Sequence, residues 1–66
     1  MNVVLNGEPR ELPAEATVAD VLALLGAPDR GVAVAIDAEV IPRGEWERAE
    51  IREGARLEVV QAVQGG

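Results

Sequence analysis

The sequence predicts an α+β fold, with one main helix packed on a mixed four- to five-stranded sheet. Three observations carry that expectation. Asn6-Gly7 lies between two short strand-like runs, and this dipeptide is the strongest short-range signal for a two-residue type I′ hairpin. Val18, Val21, Leu22 and Leu25 then fall at i, i+3, i+4 and i+7, one apolar stripe of a helix. The second half of the chain holds no comparable stripe, only short alternating aliphatic runs separated by turn residues.

Met1 to Leu5 is the first strand and Glu8 to Leu12 the return strand, with Val3, Leu5 and Leu12 pointing inward. Pro9 has no N–H for a ladder, which suits an edge position. After a loop at Pro13 and Glu15 the period changes. Thr17 is the expected N-cap, with Asp20 three positions on as a capping-box variant. Gly26 supplies the left-handed residue after the helix and Pro28 prevents continuation. So short a helix is marginal alone and must pack on the sheet.

Val32, Val34 and Ile36 alternate with Ala33 and Ala35, so both faces are apolar and the strand belongs inside the sheet. Asp37-Ala38-Glu39 turns the chain into a short Val40-Ile41 segment. Pro42 to Glu45 reads as an irregular connection with Trp46 at its end, and Ile51 as the anchor of a brief strand before a Glu53-Gly54 turn. Arg56 to Val63 is the last strand, with Leu57 and Val59 inward. The expected division is a folded domain over residues 1–63 and a flexible tail over residues 64–66. This order of hairpin, helix and further strands matches a ubiquitin-like β-grasp, one helix layered on one sheet. A ferredoxin-like arrangement needs a second helix, for which residues 45–49 are too few.

Composition narrows the chemistry. The chain has 66 residues, 48% of them hydrophobic, with no Cys and no His. All six basic residues are Arg, against twelve carboxylates, for a net charge of -6. Thiolate chemistry, a ready neutral-pH base, Schiff-base formation and a phosphate-loop lysine are therefore excluded. The acidic balance argues against nucleic acid or an anionic membrane as a direct partner. No targeting segment is visible, and the apolar run from Gly31 to Ile36 is far too short to span a bilayer. A cytoplasmic location is the expectation.

Few residues are candidates for a site. Glu45, Glu47, Glu50 and Glu53 cluster in sequence but are interleaved with Arg48 and Arg52, the pattern of a solvated face rather than of an acid–base pair. Neither a phosphate-loop nor a dinucleotide-binding glycine pattern occurs. The sequence closes on Gln64-Gly65-Gly66. That ending reads either as a frayed terminus or as an unbranched tail whose carboxylate enters a narrow site on a partner, a use to which glycine is suited. Alternation along the last strand turns Glu58, Val60 and Ala62 outward, with Ala33 or Ala35 beside them, as a docking stripe leading to the tail. Trp46 reads as a plug of the core, its indole N–H on a carbonyl, or as a partner-facing anchor. Arg43 either fixes the turn before it or meets an acidic partner.

Several segments fall together in the order and spacing of a known family. They are Thr17 to Leu22, Val34 to Asp37, Val40 to Trp46, Glu53-Gly54-Ala55 and Gly65-Gly66, of which Pro42-Arg43-x-x-Trp46 discriminates best. The chain resembles the ThiS-type sulfur carriers of thiamin biosynthesis, ubiquitin-like proteins related to the small subunit of molybdopterin synthase. The resemblance implies a carrier rather than an enzyme. A ThiF-type adenylating enzyme, using ATP and magnesium, would adenylate Gly66. Sulfur from a cysteine desulfurase persulfide would then displace AMP, and the resulting thiocarboxylate would deliver sulfur to thiazole synthase. It implies no cofactor or metal bound by this chain. In that family a large residue occupies the position of Val60. A carrier for molybdopterin synthesis or tRNA thiolation, and an interaction module with an inert tail, are the alternatives.

Overall fold

A hairpin opens the chain, and its turn follows from two residues. In the computed structural model, which describes residues 1–28 and 30–61, β1 (Asn2–Leu5) and β2 (Glu8–Glu11) pair antiparallel. Asn6 and Gly7 join them with φ of 51° and 83°, both positive as a type I′ turn requires. Val3 and Leu5 are buried, while all four residues of β2 are exposed. β2 is an edge strand, so Pro9 interrupts no inner ladder. Leu12, just beyond it, turns back into the core.

Helix α1 (Val18–Leu25) begins at Thr17. The Thr17 N–H donates to Asp20 Oδ2 at 2.9 Å, and the Asp20 N–H donates to Thr17 Oγ1 at 3.4 Å. Two further N–H groups of the first turn find carbonyls outside the helix: Val18 donates to Ala49 at 3.1 Å and Ala19 to Trp46 at 3.0 Å. Donors that no helical turn can satisfy are thus tied to the segment before the last strand. Gly26 ends the helix with φ 68°. Val18, Val21 and Leu22 are buried, but Leu25, expected on the same stripe, is 36% exposed. The last turn of α1 lines a groove with Arg10, Glu11 and Leu12, and the solvent-facing edge strand there supplies no apolar cover.

The sheet has the order β2-β1-β5-β3-β4. β3 (Val32–Ile36) lies inside it, as its two apolar faces predict, and pairs antiparallel with β4 (Glu39–Ile41). Their two-residue turn, Asp37-Ala38, also has positive φ at both positions, 51° and 72°. A 3-10 turn follows (Arg43–Glu45). The brief strand expected around Ile51 contracts to a single antiparallel bridge between Thr17 and Glu50. Here the chain is held against the start of the helix rather than along a sheet edge, so there is room for one rung only. Ile51 itself is buried.

β5 (Arg56–Gln61) is the central strand, parallel to β1 and antiparallel to β3. Its expected extension through Ala62 and Val63, and the division between residues 63 and 64, lie outside the described residues. Leu57 from β5 joins Val34, Val3, Leu5 and the buried helix residues in one aliphatic core, with Ala16, Ile51 and Ala55 closing its end. No polar or charged residue is buried among the described residues, so desolvated charge costs this small core nothing. No helix is long and apolar enough to cross a membrane among them.

Candidate functional site

Strand β5 is fixed on both flanks before it presents any side chain. At its start the Asp37 N–H donates to the Arg56 carbonyl at 2.8 Å, and the Arg56 N–H donates to Asp37 Oδ1 at 3.0 Å. On the opposite flank the Asn6 N–H reaches the Leu57 carbonyl at 2.8 Å. One rung further, the Asn6 side chain takes over: Oδ1 accepts from the Val59 N–H at 2.8 Å and Nδ2 donates to the Val59 carbonyl at 3.2 Å.

With the strand held, alternation decides which residues face out. Leu57 is fully buried and Val59 half-buried against the core, whereas Glu58 and Val60 are exposed. The register sets Val60 opposite Ala33 and Glu58 opposite Ala35, the neighbours expected from the sequence. Val60 is 61% exposed, and a small cross-strand partner leaves it standing proud of the sheet. Ala62, Gln64, Gly65 and Gly66, the other predicted site residues, lie outside the described residues.

The structure adds one residue to this face. Val40 pairs with Ala35 from the other side and is 70% exposed, so Val40, Ala35 and Glu58 form a row across three strands, next to the Ala33–Val60 row. Its signal was present in the sequence. A two-residue turn at Asp37-Ala38 fixes the β3–β4 register, and that register sends Ile41 inward beside Val34 and Val40 outward. The face therefore carries an apolar patch of Val40, Ala35, Ala33 and Val60, edged by the charged residues Glu58 and Arg56, while α1 covers the opposite side of the sheet.

The two readings of Trp46 are separated by geometry. Its indole N–H donates to the Ile41 carbonyl at 3.0 Å, and its half-buried ring packs against the core, away from the Val60 face. Arg43 serves the turn through its main chain, its carbonyl accepting the Trp46 N–H at 3.2 Å. The glutamates also separate. Glu53 Oε1 accepts the Asn2 N–H at 3.0 Å, tying the first strand to the turn before the last. Glu47 and Glu50 share a surface depression with Arg48 and Glu15. Glu45, Glu47 and Glu50 are all exposed, the arrangement of a solvated face.

Comparison with known proteins adds the remaining observation. The chain matches the ThiS family over residues 3–66. It is 41% identical over 64 residues to the sulfur carrier protein ThiS of Thermus thermophilus, covering 97% of this chain and 98% of that one. It is 36% identical over its full 66 residues to a thiazole synthase of Paramagnetospirillum magneticum, of whose length it spans only 20%. Among solved structures, the thiamine biosynthesis protein ThiS of Geobacter metallireducens superimposes with a TM-score of 0.84 at 25% identity, over all of both chains.

Proposed function

This chain belongs to the ThiS family of sulfur carriers in thiamine biosynthesis, and we propose that its working group is the carboxyl group of Gly66. A carboxylate is a poor electrophile because its charge is shared over two oxygens. Attack of one of those oxygens on the α-phosphorus of ATP expels pyrophosphate and leaves an acyl-adenylate, whose AMP is a good leaving group. The outer sulfur of a persulfide then attacks the acyl carbon and expels AMP. A thiol cleaves the resulting acyl disulfide, itself ending in a disulfide with the persulfide's inner sulfur and leaving a thiocarboxylate whose sulfur is far more nucleophilic than the oxygen it replaced. The ATP and magnesium belong to a ThiF-type adenylating enzyme, a cysteine desulfurase supplies the sulfur, and thiazole synthase receives it.

The chain's own chemistry favours this use. It has no Cys and no Lys, so no thiol or side-chain amine of its own can capture the activated acyl group. Its α-amino group is occupied with the Leu12 carbonyl at 2.6 Å. The five residues after Gln61 could span at most about 18 Å if fully extended, enough to reach into a partner's site while the sheet remains outside. Val60, Ala33, Ala35 and Val40 form the docking surface, and Ala62, Gln64 and Gly65 follow in sequence between it and Gly66. Glu58 meets a basic rim on the partner, as the net charge of -6 favours.

The observation that carries this reading is that the family match runs to residue 66 and so includes the Gly65-Gly66 pair. The test is incubation with a ThiF-type enzyme, ATP, magnesium and a sulfide source, followed by intact mass measurement. The expected result is replacement of one oxygen by sulfur in the full chain and no change in a chain lacking Gly66. A full chain that binds the enzyme but never gains sulfur would instead be an interaction module.

A further inference from the structure

The Asn6 side chain makes more contacts than the hairpin requires. A type I′ turn needs positive φ at residue 6, and glycine or aspartate meets that need as well as asparagine. Yet both ends of the Asn6 carboxamide reach across 53 positions of sequence to one residue, accepting from the Val59 N–H and donating to the Val59 carbonyl. One acceptor and one donor directed at the same residue is how the main chain of a neighbouring strand would engage it. β1 supplies its last main-chain rung at Leu57 and then bends away into β2. The side chain adds the rung that the departing backbone cannot.

Asp37 holds the start of β5 in a related way from the other flank. β5 is therefore clasped by the first residue of each two-residue turn, at Arg56 by Asp37 and at Val59 by Asn6. The exit clasp adjoins Val60, the exposed large apolar side chain of β5.

We infer that Asn6 is a positioning residue whose carboxamide fixes the outgoing end of β5, so that Val60 meets the activating enzyme in one orientation. This rests on the sulfur-carrier reading for the use made of that orientation. Only asparagine combines the required acceptor and donor with the turn's positive φ. Aspartate keeps the acceptor but sets a second oxygen against the Val59 carbonyl, and glycine keeps the turn while removing both bonds.

The test uses Asn6→Gly and Asn6→Asp in the full chain, with amide hydrogen exchange, thermal unfolding and steady-state kinetics of sulfur loading. In Asn6→Gly the Val59 amide should exchange about tenfold faster relative to the amides of β3, as expected for loss of its hydrogen-bond acceptor. KM for the carrier should rise about three- to tenfold in both variants, with kcat within about twofold. Adding Ala38→Gly to restore any lost stability should leave KM raised. Unchanged Val59 exchange in Asn6→Gly, an unchanged KM, or a KM that recovers together with stability would each overturn the inference. A wild-type chain that gains no sulfur would instead sink the carrier reading, and the role of Asn6 in loading with it, while the Val59 exchange ratio would still report whether the clasp exists.

Discussion

Val60 offers the most direct measurement of the proposed docking face. It is 61% exposed, and full burial of a valine side chain is worth roughly 1.5–3 kcal/mol, so a partner that covers the rest gains about 1–2 kcal/mol from it. Val60→Ala removes two methyl groups and should forfeit about 1 kcal/mol of this, raising KM for the carrier about fivefold. Val60→Asp places an unpaired carboxylate in the same contact, beside Glu58, and should cost about 2–3 kcal/mol, a rise on the order of 30- to 150-fold. The free domain should scarcely notice either change, because the cross-strand partner Ala33 is itself exposed and surface substitutions typically stay within about 0.5 kcal/mol. The assay is sulfur loading measured over a range of carrier concentrations, with a urea titration of each variant alongside. If Val60→Asp left KM at the wild-type value while the chain remained folded, the outer face of β5 would not be the docking surface.

Other outcomes follow from the same structure. Leu57 is 1% exposed at the centre of the sheet, so Leu57→Ala should destabilise by about 2–5 kcal/mol. That is a large share of the roughly 3–10 kcal/mol expected of a domain this size, and Trp46 emission against urea would read it directly. Ala38 adopts φ 72° without being glycine, a conformation that costs an L-residue about 1–2 kcal/mol. After the added chain entropy of glycine, Ala38→Gly should stabilise by about 0.5–1 kcal/mol, visible as a higher urea midpoint. Deleting Gly66 should abolish sulfur loading without moving that midpoint, checked by intact mass and urea titration in parallel.

Much of this fold was legible because its signals are local. Asn6-Gly7, the Thr17–Asp20 capping box and Gly26 each constrain their own neighbourhood, and each appears where the sequence places it. The inward set of Val3, Leu5, Leu12 and Leu57 follows from period-two alternation once strands are assigned. Leu25 and Ile51 show where such reasoning ends. Periodicity put Leu25 on the helix stripe, but only the polar edge strand beside it determines that this position lacks cover. Ile51 reads as a strand centre by hydrophobicity, whereas its segment satisfies the first N–H groups of α1 instead. In the candidate site, Glu58 and Val60 were legible from alternation, while Val40 required the register of β3 against β4.

Residue types alone restrict the chemistry open to this chain and set its local conformation. The absence of Cys, His and Lys, the positive-φ dipeptide and the caps are properties of residue type and of near neighbours, and no long-range contact is needed to read them. Which distant segments share a hydrogen bond or a face is settled by the assembled fold. Asn6 meets Val59, Asp37 meets Arg56 and Val40 joins Val60's side of the sheet because β5 inserts between β1 and β3. That insertion is set by burial of the whole core at once, a sum over contacts that no single stretch of residues encodes.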